Sequence, residues 1–153
     1  MKIRILCVGK VKEEFYQKQI KEYHAQIQKH CSFEIIEIED EKTEEHLTEP
    51  ERERILKIEG QRLLKHLDNH EREFVVALCI DGKQYSTEAW KKKVNTIIKQ
   101  QEIQQITYIV GGSLGLDAQV VQRADFKLSF SKLTFPHQLM RVMLTEQIYF
   151  TLN

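Results

Sequence analysis

Two runs, FVVALCI at 74–80 and ITYIV at 106–110, are apolar at almost every position, and they restrict the fold more than any other feature of the chain. A strand with one wet face alternates apolar and polar side chains, whereas a strand covered on both faces has no need to. Both runs have the length of strands rather than of buried helices. Strands buried on two sides point to a parallel sheet, because parallel neighbours need crossover connections that lay helices over it. The rest of the chain supplies those crossovers. KIRILCV at 2–8 and FEIIEI at 33–38 are partly alternating and β-branched, and between them Glu13–His30 places Phe15, Ile20, Tyr23 and Ile27 at helical spacing. Thr48 precedes Glu49-Pro50-Glu51 as an N-cap, and Ile55, Ile58, Leu63, Leu64 and Leu67 form the apolar stripe of a helix of about five turns, Gly60 included. Asp81-Gly82 is expected to end the strand at 74–80 in a turn. Ser86 or Thr87 then caps a helix bearing Trp90, Val94, Ile97 and Ile98. After the strand at 106–110 come a glycine-rich bend, a short helix near Asp117–Arg123, a short strand near Lys127–Phe130 and a last helix from Pro136 to about Phe150. The expected fold is α/β, a mainly parallel sheet with helices on both faces. With 153 residues, two prolines, six glycines and no repeat or low-complexity stretch, residues 1–153 read as a single domain.

Charge removes some function classes. Lys plus Arg and Asp plus Glu are 23 each, so no overall cationic field draws the chain to nucleic acid or to an anionic membrane. A polyanion must be met by a local patch. Residues 51–100 hold 11 basic and 8 acidic side chains, with Arg52, Arg54, Lys57, Arg62, Lys65 and Lys91–Lys93 prominent, and a solvated helix surface is the plainer account of them. The acidic segment Glu37–Glu49 reads as a mobile surface loop. No apolar run approaches membrane-spanning length and the N-terminus lacks the pattern of a signal peptide, so a cytoplasmic protein is expected. Cys7, Cys31 and Cys79 are odd in number and far apart, which suits reduced core thiols. His66 and His70 stand four apart, yet a third ligand at sensible spacing is missing, and no metal is expected. His24, His30 and His46 read as exposed, and Tyr85 and Trp90 as core aromatics rather than as stacking platforms.

Two segments near the C-terminal end carry candidate chemistry. In I109-V-G-G-S-L-G-L116 three glycines follow a buried strand and precede a helix, so backbone can approach a ligand closely while helical N–H groups face it. The spacing is not G-x-G-x-x-G, and only 37 residues follow Leu116, too few for the second half of a dinucleotide fold. The second segment is F130-S-K-L-T-F-P-H-Q-L-M-R-V-M-L-T-E-Q147, with hydroxyls at Ser131 and Thr134 and polar His137, Arg141 and Glu146 on a helix that is otherwise apolar in nearly every direction. A second copy of the chain covering its far face is one route to burying such a helix, which suggests a homodimer.

These residues carry a resemblance. The run LSFSKLTFPHQLMRVMLTEQ, with IVGGSLGL, LCIDGKQYSTE at 78–88, EGQR at 59–62 and the opening MKIRILCVGK, resembles the ribosomal RNA large subunit methyltransferase H family of the SPOUT class, over essentially Met1 to Tyr149. The resemblance implies an α/β methyltransferase with a C-terminal trefoil knot, working as a homodimer. It implies transfer of methyl from S-adenosylmethionine to N3 of a pseudouridine in a 23S rRNA stem-loop of the assembled ribosome, with neither metal nor membrane. Carried over by motif, the cofactor contacts fall on Leu78, Gly111, Phe130, Ser131, Lys132, Leu133, Thr134 and Phe135. Family members continue past the last helix with a short polar tail ending in a Tyr-His-basic signature, whereas this sequence ends Thr151-Leu152-Asn153. A tail-less, catalytically weak or silent ribosome-binding homologue is therefore the alternative to an active enzyme.

Methyl transfer from a sulfonium is an in-line displacement that needs alignment and a deprotonated nucleophile. On the implied substrate His137 would act as base, Arg141 would steady negative charge on the uracil oxygens or grip phosphate, and Glu146 would orient Arg141 or a neighbour.

Overall fold

The computed structural model describes residues 1–67 and 71–152. Its ten elements are β1 (Lys2–Val8), α1 (Glu14–Gln28), β2 (Ser32–Ile38), α2 (Glu49–Leu64), β3 (Glu73–Gln84), α3 (Thr87–Gln101), β4 (Gln105–Val110), α4 (Ala118–Arg123), β5 (Phe126–Ser129) and α5 (His137–Thr151). The strands form one parallel sheet in the order β2-β1-β4-β3-β5. The two all-apolar runs lie side by side at its interior, as strands covered on both faces must.

Strand periodicity sorts the core into two clusters. Ile3, Ile5 and Cys7 of β1, Phe74 and Val76 of β3, and Ile106, Tyr108 and Val110 of β4 face α1, α3 and α5, where Ile27, Trp90, Val94, Ile97, Leu144 and Ile148 meet them. Leu6 and Val8, Val75, and Ile109 face the opposite way, onto Leu63 of α2 and Val120 of α4. Thr48 caps α2 by accepting from the Glu51 N–H, and Ser86 caps α3 by accepting from Ala89. Gly60 sits inside α2 because a Cβ there would lie 2.9 Å from the Asp117 Cβ at the start of α4. Helix propensity gives way to that close crossing.

At the amino ends of the strands this second face holds a buried polar network. The side chain of Glu73 has no solvent exposure. Its Oε2 accepts from Arg4 Nη2 at 3.0 Å, from Gln105 Nε2 at 2.6 Å and from Thr107 Oγ1 at 3.0 Å, while Arg123 lies 3.5 Å from Oε1. Arg4 also donates to the His66 carbonyl at 2.7 Å. Each charge is thereby met, as burial demands.

Several expectations need correction. Asp81-Gly82 does not end the third strand; β3 runs on to Gln84, with a register shift against β5 between Leu78 and Lys83. The pair serves an irregularity rather than a hairpin, and a Cβ on Gly82 would lie 2.8 Å from the Lys127 carbonyl. The acidic segment is a loop only beyond Ile38: Glu37 belongs to β2 and pairs with Arg141, whereas residues 39–48 are a largely exposed surface loop in which Glu41 pairs with Arg62 and donates its N–H to Glu59. His24 is half-buried, its ring edge-on to Phe33 with centroids 4.8 Å apart. Trp90 is a core residue, donating from its indole to the Tyr108 hydroxyl at 3.3 Å. Of the three free cysteines only Cys7 is buried; Cys31 and Cys79 are partly exposed. His70, half of the histidine pair, lies outside the described residues.

Candidate active site

Three segments converge beyond the carboxyl ends of β4 and β5 and beside the middle of the longer β3, the end of the sheet where open parallel sheets bind ligands. The first is the glycine bend. Gly112 and Gly115 form an isolated bridge, the Gly115 N–H donating to the Gly112 carbonyl at 3.1 Å, and Gly115 takes φ +87°. A Cβ on Gly111 would fall 2.3 Å from the Gly115 oxygen, so only glycine allows the bend to close on itself. The second is the loop leading into α5. Ser129 Oγ donates to the Ser131 carbonyl at 3.1 Å and the Leu133 N–H donates to Ser131 Oγ at 3.0 Å, holding the turn with its own side chains. The third is Leu78-Cys79-Ile80 of β3.

Together they enclose an open cleft of about 390 Å³, within the range of small-molecule sites. Leu78, Gly111, Phe130, Ser131, Leu133, Thr134 and Phe135 all line it; Lys132 does not and is exposed. The walls are mainly apolar, and Leu133, 71% exposed, stands at the rim. Cys79, Ser113 and Met140 also line the cleft and were not anticipated. Cys79 follows Leu78 in an apolar strand, and Met140 reads as one more apolar position of α5, so neither carries a separate signal in the sequence.

The polar residues of α5 go to three different places. His137 lines the cleft. Arg141, only 1% exposed, turns to the ends of β1 and β2, donating from Nη1 to Glu37 Oε2 at 2.8 Å and from Nη2 to the Val8 carbonyl at 3.2 Å. Its Nε has no hydrogen-bond partner among the described residues. The guanidinium is therefore spent inside the protein, and Glu37 rather than Glu146 orients it. Glu146 accepts from the Tyr23 hydroxyl of α1 at 2.7 Å. Glu146 lies five positions after Arg141, about 140° around the helix, which takes the carboxylate away from the guanidinium.

Burial, then the positive charge of Arg141, holds the His137 imidazole below its ordinary value of 6.5; Asp40 opposes the shift and Lys12 adds to it. The ring is thus neutral at neutral pH and able to take a proton. Burial pushes the Cys7 thiol up to about 12 and also raises Cys79, so both stay protonated. Among the described residues no group of His, Cys, Asp and Glu is arranged to hold a metal ion.

A family model described as predicted SPOUT methyltransferase matches residues 1–153. The chain belongs to this family. Among curated proteins it is 47% identical over 149 residues to the ribosomal RNA large subunit methyltransferase H of Streptococcus uberis, covering 97% of this chain and 92% of that one. It is 46% identical over 157 residues to the protein of the same name from Bifidobacterium adolescentis, with the same coverage. A solved structure, that of a probable methylase family protein from Haemophilus influenzae Rd KW20, superposes with a TM-score of 0.53 at 10% identity over 98% of this chain and 66% of the longer one, a likeness of fold. This SPOUT methyltransferase therefore presents its cleft, with His137 at the wall, at the end of the sheet opposite the Arg4–Glu73 network.

Proposed function

We propose that the chain methylates N3 of a pseudouridine in a 23S rRNA stem-loop of the assembled ribosome, using S-adenosylmethionine, as a cytoplasmic homodimer. The convergence of Leu78, the Gly111 bend and the loop 130–135 on one cleft carries this reading. The cleft suits the cofactor: glycine at 111 lets the bend fold back on Gly115 and set a wall of backbone beside the cleft, and apolar walls suit a sulfonium nucleoside. Ser131 and Thr134 would offer hydroxyls to its polar groups, while Leu78, Phe130, Leu133 and Phe135 would hold its apolar parts. When bound, S-adenosylmethionine supplies an activated methyl that leaves its sulfur as the N–CH₃ bond forms.

The protein must align the acceptor and remove one proton. His137, neutral in the cleft wall, would take the N3 proton on its free imidazole nitrogen. Arg141 would act through His137, its charge favouring the neutral ring, and by fastening α5 to the ends of β1 and β2. Half-buried Met140, Met143 and Tyr149 and exposed Phe150 leave apolar surface on α5 for a second subunit. The knotted threading implied by the family belongs to the same reading.

Titration calorimetry with S-adenosylmethionine, followed by mapping of methylation on ribosomes from a strain lacking its own enzyme, tests the proposal. Cofactor heat and one methylated pseudouridine are expected. In Gly111→Ala the heat should fall at least tenfold while far-UV circular dichroism stays unchanged. No heat and no mark from the parent chain would remove the enzymatic reading.

A further inference from the structure

One turn of α2, Glu59-Gly60-Gln61-Arg62, touches two other segments of the chain. Gly60 packs on Asp117, and Gln61 Nε2 donates to Gln119 Oε1 at 3.1 Å, so this turn holds the segment that follows the glycine bend. Glu59 and Arg62 hold the loop that leaves β2. Arg62 donates from Nη1 to the Glu39 carbonyl at 2.9 Å and from Nη2 to Glu41 Oε1 at 2.6 Å, while buried Glu59 accepts the Glu41 N–H on Oε2 at 3.0 Å. Between these fixed points stands Asp40, whose carboxyl carbon lies 3.5 Å from where a Cβ on Gly9 would be, just past the end of β1. Burial, together with the charges of Asp40 and Glu41, raises the Glu59 carboxyl, and the Glu41 N–H and Arg62 oppose the rise. Three carboxylates are thus gathered around the Arg62 guanidinium, and without it their repulsion would push the loop off α2.

We infer that Arg62 and Glu59 are positioning residues for methyl transfer: by pinning residues 39–41 to α2 they hold the Asp40 carboxylate where its charge reaches His137. The inference rests on the reading of His137 as the base and adds what arranges its surroundings. Three charges bear on the His137 ring, each from a different place: Arg141 from the next turn of α5, Lys12 from the connection between β1 and α1, and Asp40 from the connection between β2 and α2. Arg141 is fixed by Glu37 and the Val8 carbonyl, and the Lys12 N–H donates to Gln138 Oε1 at 3.0 Å, so both cations have supports of their own. Asp40 has the clasp of α2. When His137 takes the N3 proton, an imidazolium forms within reach of two cations, and Asp40 is the opposite charge that eases its formation.

The test reads His137 itself. In long-range proton–nitrogen NMR spectra of the full chain, with the His137 signals assigned by their absence from His137→Gln, the titration midpoint of the ring should fall in Asp40→Asn and fall likewise in Arg62→Ala. Losing the Arg62 charge without moving the loop would raise the midpoint instead, so the sign separates placement of Asp40 from a direct effect of the guanidinium. The Arg62→Ala/Asp40→Asn pair should fall no further than Asp40→Asn alone, since both act through one carboxylate. Glu59→Ala should lower the midpoint too, and Glu59→Gln, which keeps an acceptor for the Glu41 N–H, should restore it. Far-UV circular dichroism of each variant should match the parent. In single turnover on ribosomes, the acid limb of the rate should move with the midpoint. A midpoint that stays put or rises in Arg62→Ala, or additive falls in the pair, would overturn the inference. Midpoints that behave as expected in a chain that leaves no methyl mark would refute the enzymatic reading and leave the hold of α2 on His137 standing.

Discussion

Burial and the guanidinium of Arg141 keep His137 uncharged at a pH where an ordinary histidine is partly protonated. If His137 is the base, its neutral form is the active one, and that form persists below pH 6.5 because the folded value is lowered. Single-turnover methyl transfer should therefore fall with acid at a lower pH than the 6.5 of an ordinary histidine would set. Asp40 raises the value, so Asp40→Asn should move that limb further toward acid. His137→Ala should lower the rate by about 10²–10⁴-fold with little change in cofactor affinity. The Arg141–Glu37 pair makes a second prediction at this scale. Glu37→Gln removes the counter-charge of a guanidinium of 1% exposure but keeps an acceptor on a side chain that is 36% exposed, and should cost about 1–3 kcal/mol in urea unfolding. The pair spans 104 positions of sequence, and no local pattern announces it. Arg141 looks available for substrate when α5 is read alone; only the neighbouring ends of β1 and β2 show that it is taken.

Between elements, backbone spacing decides what local propensity does not. Gly60→Ala improves the intrinsic helix preference of α2, yet its new methyl would press on Asp117 at 2.9 Å and part α2 from α4. A net loss of about 1–3 kcal/mol is expected, read from the denaturant midpoint. The strands were legible because burial on both faces removes alternation, and the helices because apolar spacing and the caps at Thr48 and Ser86 agree. The extension of β3 was not legible. Asp-Gly is the chemistry of a turn, and the same two residues also allow a bulge where β5 approaches closely. The cleft lining was readable where it is continuous in sequence, from Phe130 to Phe135, except Lys132, whose side chain falls outside. Cys79 and Met140 were silent because apolar positions look alike until a cavity opens beside them.

For the whole molecule, two chains together are the expected working unit. Phe150 is 40% exposed at the end of a helix whose other side is core, an arrangement a partner subunit would cover. Sedimentation velocity should give twice the 18.2 kDa chain mass, and Phe150→Asp should shift the population toward monomer while leaving the far-UV spectrum unchanged. The Arg4–Glu73–Gln105–Thr107 network also acts at this scale. It joins the starts of β1, β3 and β4 by charge-assisted bonds, whereas the opposite ends of the sheet give way to glycine and irregular loops. Stiffness should therefore be graded along the strands. Amides near Thr107 should exchange with deuterium at the slowest, globally limited rate and those around Ser113 orders of magnitude faster, so that the loops can rearrange about a guest while the foot of the sheet stays clamped.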